Sequence, residues 1–267
     1  MKKKAIKNFG HVLLLGALTM MMSCGKDSIA PQPSLNVDNE AAAVAATGLV
    51  TTAFTPQTVG ITVKKMDNQR GNISQYLLYI PNGYNEKKTY RWPVVIALHG
   101  MGETGSNINV VRNVGLPKVV AGKPFVMIAP QCLRNWWNIA TLDVLYSEII
   151  AKYNVDPKRV YLTGLSMGGF TTWDWSILSP QKFAAIVPIC GGSNPKNVAS
   201  IKTTPVWAFH NADDPTVSVW NTRNMVNALK AIGGNVKYTE NPTGGHNAWD
   251  KAYANAGLYT WLLAQHK

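Results

Sequence analysis

The stretch Val160-Tyr161-Leu162-Thr163-Gly164-Leu165-Ser166-Met167-Gly168-Gly169-Phe170 decides how the chain is read. A short apolar run ends in Gly-x-Ser-x-Gly, and a segment of helical character, residues 170–178, follows. A serine at such a strand-to-helix turn is forced into a strained backbone conformation, with its hydroxyl raised clear of the sheet. Glycine two places before and two places after removes side chains that would collide there. The helix directs its N-terminus at the hydroxyl, which favours developing negative charge. Ser166 is therefore a candidate nucleophile, weighed against the plainer reading of a glycine-rich turn.

Working outward, apolar runs of strand length recur on both sides. They lie at residues 59–65, 74–80, 94–98, 125–129, 160–163, 184–189, 205–209 and 236–240. Helical spacing appears between them. Leu142, Leu145, Tyr146, Ile149 and Ile150 form one stripe, and Val219, Met225, Val226, Leu229 and Ile232 form another that closes at Gly233-Gly234. One final helix is expected over residues 248–265. Strands alternating with helices predict an α/β fold, a mostly parallel central sheet flanked by helices. Sites in such sheets form at the carboxyl ends of the strands.

A serine hydroxyl needs a base, and the base needs a third group to hold it. With a Gly-x-Ser-x-Gly turn the chain order is serine, acid, histidine. His246, in Gly244-Gly245-His246-Asn247 after the last strand, is the candidate base; His266 reads as a solvated terminal residue. The acid should follow residues 205–209, where Asp213 and Asp214 are adjacent and only one can aim at His246. The oxyanion requires two backbone N–H donors. Met167 supplies one. Met101 is the candidate for the other, in the loop His99-Gly100-Met101-Gly102-Glu103-Thr104-Gly105. His99 lies upstream of the serine and reads as a residue that fixes this loop.

With these residues assembled, the chain resembles the α/β-hydrolase superfamily, and within it the esterase branch of feruloyl esterases and polyhydroxybutyrate-depolymerase-like enzymes. The resemblance rests on Leu98-His99-Gly100-x-Gly102-Glu103-x-Gly105, Ala129-Pro130-Gln131-Cys132, Gly164-Leu165-Ser166-Met167-Gly168-Gly169 and Gly245-His246-Asn247-Ala248-Trp249. These motifs span most of residues 59–267. In such relatives the acid follows a His-Gly-x-x-Asp-x-x-Val pattern. Here His210, Asp214 and Val217 match, which favours Asp214, but Asn211 replaces the glycine and keeps Asp213 open. The resemblance implies an acyl-enzyme mechanism with no metal and no cofactor. The histidines lack ligand spacing, and the cysteines are too few for a zinc site.

The chain has 267 residues, 46% hydrophobic and 15% charged, enough to bury a core and to exclude wholesale disorder. Its net charge is +12, and setting aside Lys2, Lys3, Lys4 and Lys7 leaves +8. The remaining cations are scattered, which reads as a solvated basic surface rather than a nucleic-acid site. Those first lysines, the apolar residues 12–22 and Met22-Ser23-Cys24-Gly25 form a leader that resembles a bacterial lipobox, with lipid added at Cys24. A conventional signal peptide is the alternative. Residues 1–24 are thus the expected leader, 25–56 a tether to a membrane surface, and 57–267 one catalytic domain. Cys132 and Cys190 read as two buried thiols, with a disulfide as the alternative.

For substrate, Trp136 and Trp137 follow a strand end and Trp249 lies three residues after His246. Aromatic faces there suit sugar rings or a phenolic acyl group, against a reading as packing residues. No insertion between residues 189 and 205 is long enough for a large lid, so an open cleft is expected. The expected partner is a small ester or an acyl ester on plant polysaccharide, feruloyl or acetyl. Two other readings stand beside it: a prolyl-oligopeptidase-like peptidase, and a non-catalytic carbohydrate-binding lipoprotein on a hydrolase scaffold.

Overall fold

The structure is a computed structural model, and it describes residues 54–67 and 71–267. The expected leader, Cys24 and nearly all of the tether lie outside the described residues. Eight strands form one sheet: β1 (Gly60–Lys65), β2 (Ile73–Ile80), β3 (Trp92–Leu98), β4 (Val126–Cys132), β5 (Val155–Leu165), β6 (Ala185–Ile189), β7 (Val206–Asn211) and β8 (Val236–Asn241). Their spatial order is β1-β2-β4-β3-β5-β6-β7-β8. The first two strands are antiparallel to their neighbours, and every pairing from β4 to β8 is parallel. Each apolar run anticipated from sequence is a strand of this sheet.

The continuous apolar character of the inner strands has a direct cause. Val94, Ile96 and Leu98 of β3 enter one core, while Val95 and Ala97 enter the other. Successive side chains alternate, so a strand covered on both faces must be apolar throughout. The helices divide accordingly. They are α1 (Asn109–Arg112), α2 (Gly115–Val119), α3 (Ile139–Lys152), α4 (Met167–Leu178), α5 (Trp220–Ala231), α6 (Trp249–Ala254) and α7 (Ala256–Leu263). Leu142, Leu145 and Ile149 of α3, Trp173 and Trp175 of α4, and Met225, Val226 and Leu229 of α5 fill the first core. Val111, Leu116, Tyr253, Leu258 and Leu262, from α1, α2, α6 and α7, fill the second.

The expected final helix is two helices. The apolar spacing runs through residue 255, but the Asn255 side chain accepts the Gly257 N–H at 2.9 Å and starts a new helix there. The segment between β6 and β7 holds only a short 3-10 helix, Pro195–Ile201, in keeping with the absence of a large lid. Among the described residues no helix is long and apolar enough to cross a membrane. Every described element, both cores and all candidate site residues except Cys24 lie within residues 54–267.

In spatial order β4, β3 and β5 are neighbours. The chain leaves β3 toward β4 and leaves β5 toward β6, on opposite sides, so a crevice opens beyond the carboxyl ends of β3 and β5.

Candidate active site

The turn at the end of β5 carries Ser166 at φ 52° and ψ −119°, a conformation that an L-residue holds only when its surroundings enforce it. The enforcement is visible. The Ser166 N–H donates to Ile189 O at 2.9 Å, pinning the turn to β6. A Cβ on Gly164 would sit 2.3 Å from Gly168 O, and one on Gly168 would sit 2.3 Å from Leu98 O. Neither position admits a side chain without moving backbone. Met167 is the first residue of α4, so its N–H has no acceptor within the helix.

The loop that follows β3 is held from beneath by His99, which is buried. Its Nδ1–H donates to Gly100 O at 2.6 Å, and its Nε2 accepts the Cys132 N–H at 2.9 Å, which fixes the neutral tautomer. Burial lowers its pKa to about 4, outweighing the hydrogen bond to Gly100, which acts to raise it. Gly100 lies against the nucleophile, since a Cβ there would be 3.3 Å from Ser166 Cβ. The Gly100 N–H is already taken by Glu103 Oε2 at 3.0 Å. Met101, the next residue, is exposed. Gln131 braces the far side of the loop, donating at 2.9 Å to both Glu103 O and Asn107 O.

The structure brings Ser166, His246 and Asp214 together. His246 Nε2 is 2.9 Å from Ser166 Oγ, and His246 Nδ1–H donates to Asp214 Oδ2 at 2.7 Å. Asp214 is the residue aimed at the base. Its Oδ1 accepts the N–H groups of Thr216 and Val217, both at 2.9 Å, so the same carboxylate also closes the turn at Pro215. Burial acts to raise its pKa. The hydrogen bonds from His246, Val217 and Thr216 outweigh burial and hold the carboxyl below its usual range. His210 Nε2–H faces Asp214 Oδ2 at 3.1 Å and Val217 O at 3.0 Å.

Asp213 does not aim at His246 but serves the loop that carries it. It accepts the backbone N–H groups of Gly244 and Gly245, at 3.1 and 2.9 Å, in the loop that carries His246. Asn211, the departure from glycine, donates Nδ2–H to Gly245 O at 3.0 Å and is braced by Asn241 Nδ2–H at 2.8 Å. Sequence reasoning missed this clamp. Its one signal was the asparagine standing where the resemblance has glycine.

The three tryptophans separate. Trp136 is half exposed, with its ring 6.0 Å from that of Phe170 in the first turn of α4. Trp249 stands edge-on to His246, ring centroids 5.3 Å apart. Trp137, expected at the rim, is buried. It packs on the His99 ring at 4.7 Å, and its Nε1–H donates to His99 O at 3.2 Å, so its faces support the loop after β3 and are not at the rim. Cys132 and Cys190 are free and buried, and burial pushes the Cys190 thiol up to about 12. Cys190, His210 and Asp214 are the one set of described residues whose potential metal-ligating atoms lie within 4.8 Å of one another. The Asp214 and His210 atoms of that set are already engaged in the hydrogen bonds above.

Residues 137–260 match the Phospholipase/Carboxylesterase family. Over 178 residues the chain is 28% identical to a bifunctional acetylxylan esterase/xylanase of Neocallimastix patriciarum, covering 63% of this chain and 26% of that protein. Over 134 residues it is 25% identical to a probable feruloyl esterase C of Aspergillus terreus, covering 46% of this chain and 48% of that one. The chain thus spans about half or less of these curated relatives. Among solved structures, a thermostable esterase superposes with a TM-score of 0.65 at 32% identity, covering 78% of this chain and 63% of that one. Strand order, connections and the superposition agree that this chain has the α/β-hydrolase fold.

Proposed function

We propose that this protein is a serine carboxylic-ester hydrolase that works through an acyl-enzyme. The observation that carries the reading is the continuous relay Ser166–His246–Asp214, with spacings of 2.9 and 2.7 Å, at the carboxyl edge of the sheet. Ser166 Oγ attacks the ester carbonyl while His246 Nε2 takes its proton. Asp214 keeps Nδ1 protonated and stabilises the imidazolium that forms. The N–H groups of Met167 and Met101 receive the oxyanion, each such donor contributing about 10²- to 10³-fold in kcat. The imidazolium then protonates the departing alcohol, and water, deprotonated by His246, releases the acid.

The substrate class is an acyl ester on plant polysaccharide, feruloyl or acetyl. It is supported by the similarity to an acetylxylan esterase and a feruloyl esterase, and by the aromatic pair Trp136 and Phe170 beside the nucleophile with Trp249 beside the base. The lipobox-like Cys24 supports a lipid-anchored protein of the cell envelope. The test is hydrolysis of p-nitrophenyl acetate and methyl ferulate, and acyl release from feruloylated and acetylated xylan. Turnover of the small esters with no release from xylan would remove the polysaccharide. Turnover of peptide anilides in place of both would favour the amidase reading.

A further inference from the structure

The two edges of the sheet differ in charge. Loops that enter the parallel strands lie at the amino edge, opposite the triad. The loop into β3 carries Lys87, Lys88 and Arg91, Lys158 stands at the foot of β5, Lys202 precedes β7, and Lys230 ends α5 ahead of β8. All six are exposed, and none takes part in an ion pair among the described residues. The acids of these loops are Glu86 and Asp156, and Asp156 is already paired with Arg159 at 2.9 Å. The loops around the triad, by contrast, hold Glu103, Asp213, Asp214 and Asp250 among their cations. The basic excess that looked scattered along the sequence is therefore gathered by the topology onto one edge.

The first described residues join the fold at that same edge. The Phe54 ring packs 5.7 Å from that of Tyr84, in the loop that carries Lys87 and Lys88. The Gln57 N–H donates to Asn85 Oδ1 and the Asn85 side-chain amide donates to Gln57 O, both at 2.9 Å. Phe54 and Gln57 thus pack at the cationic edge and not at the catalytic one.

We infer that the amino edge of the sheet is the surface that lies against an anionic lipid bilayer, with the triad facing away from it into solution. This rests on the reading of Cys24 as a lipid anchor. Lysines close to an anionic surface gain from its negative potential within about a Debye length, roughly 10 Å at moderate salt. A tethered anchor raises the effective concentration of the edge at the surface, so individually weak contacts act together. At the catalytic edge Glu103, Asp213, Asp214 and Asp250 offset the cations, so it would gain less from the same surface.

The test uses residues 25–267, which retain every element, both cores and the triad. Sedimentation with vesicles of phosphatidylcholine alone is compared with vesicles one-quarter phosphatidylglycerol. Binding at least about tenfold tighter to the anionic vesicles, and weakening with salt, is expected. Lys88→Glu, Lys202→Glu and Lys230→Glu together should remove that preference, while Arg112→Glu, Arg134→Glu and Lys196→Glu together should keep most of it. Melting followed by circular dichroism checks that both triple variants are folded. Equal loss in the two variants, equal binding to neutral vesicles, or binding to heparin with none to the anionic vesicles would overturn the assignment. The mass of the Cys24 peptide from membranes of the producing cell tests the anchor separately. Anionic-vesicle binding through the cationic edge, with no lipid on Cys24, would support the face and overturn the anchor.

Discussion

The turn that carries Ser166 and the loop that carries His246 reach the same hydrogen bond by opposite means. The serine turn is held by backbone. Gly164 and Gly168 leave no room for a side chain, the Ser166 N–H is fixed to Ile189 O, and the helix α4 begins at once. The histidine loop is held by side chains. Asp213 and Asn211 reach across from the end of β7 to grip Gly244 and Gly245, and Asn241 braces Asn211. A backbone device writes itself into a local motif that can be read from sequence. A side-chain device depends on which loops the sheet brings together, and it shows only in the fold.

Breaking the acid that serves the histidine has the largest expected effect. Asp214→Asn should lower kcat about 10⁴-fold with little change in KM, because His246 loses the partner that sets its tautomer. Asp213→Asn should fall far short of that, and steady-state ester hydrolysis by the two variants compares the residues directly. Breaking the backbone device comes next. Gly168→Ala places a Cβ 2.3 Å from Leu98 O, so β3 and the turn must separate. A loss of roughly 3 kcal/mol in urea unfolding, with at least about 10²-fold in kcat, is expected.

The support beneath the oxyanion loop should respond to pH. The pKa of His99 falls from its ordinary 6.5 to about 4 in the folded chain. Between those values the unfolded chain binds more protons, so stability is full above about pH 6.5 and is lost as pH falls toward 4. The loss amounts to up to about 3 kcal/mol. Tm measured from pH 7 to pH 4 should drop in the parent, and the drop should be shallower in His99→Asn, which starts from a lower Tm. A parent Tm that is flat across this range would separate His99 from the role given to it.

Loosening the side-chain clamp should be mildest. Asp213→Ala and Asn211→Gly each remove hydrogen bonds from the His246 loop, a change of about 1 kcal/mol apiece. A kcat reduced about tenfold in each, with KM kept and Tm moved by a few degrees, is expected. The double variant should lose less than the sum, since both hold Gly245. An equal fall in kcat/KM through KM alone would place these residues with substrate binding instead.

The same contrast explains what the sequence made legible. All eight strands were readable, because a sheet covered on both faces needs unbroken apolar runs. Ser166 and His246 followed from a local motif and chain order. Asp214 over Asp213 was a choice between neighbours that needed the geometry of the turn at Pro215. The break at Asn255 was hidden because the apolar spacing continues through it while one side-chain amide restarts the helix. Two adjacent indoles after a strand read alike in sequence, which could not tell that Trp137 would turn inward onto His99. The charge asymmetry was invisible along the chain for the same reason, since residues far apart in sequence meet only where strands begin.

The central claim is that Ser166 carries the acyl group. Rapid quenching of the protein with p-nitrophenyl acetate, followed by digestion and mass spectrometry, tests it most directly. The predicted result is an acetyl adduct on the peptide containing Ser166, absent from Ser166→Ala, whose hydrolysis falls by about 10⁵-fold or more. An adduct on another residue, or undiminished turnover by Ser166→Ala, would contradict it.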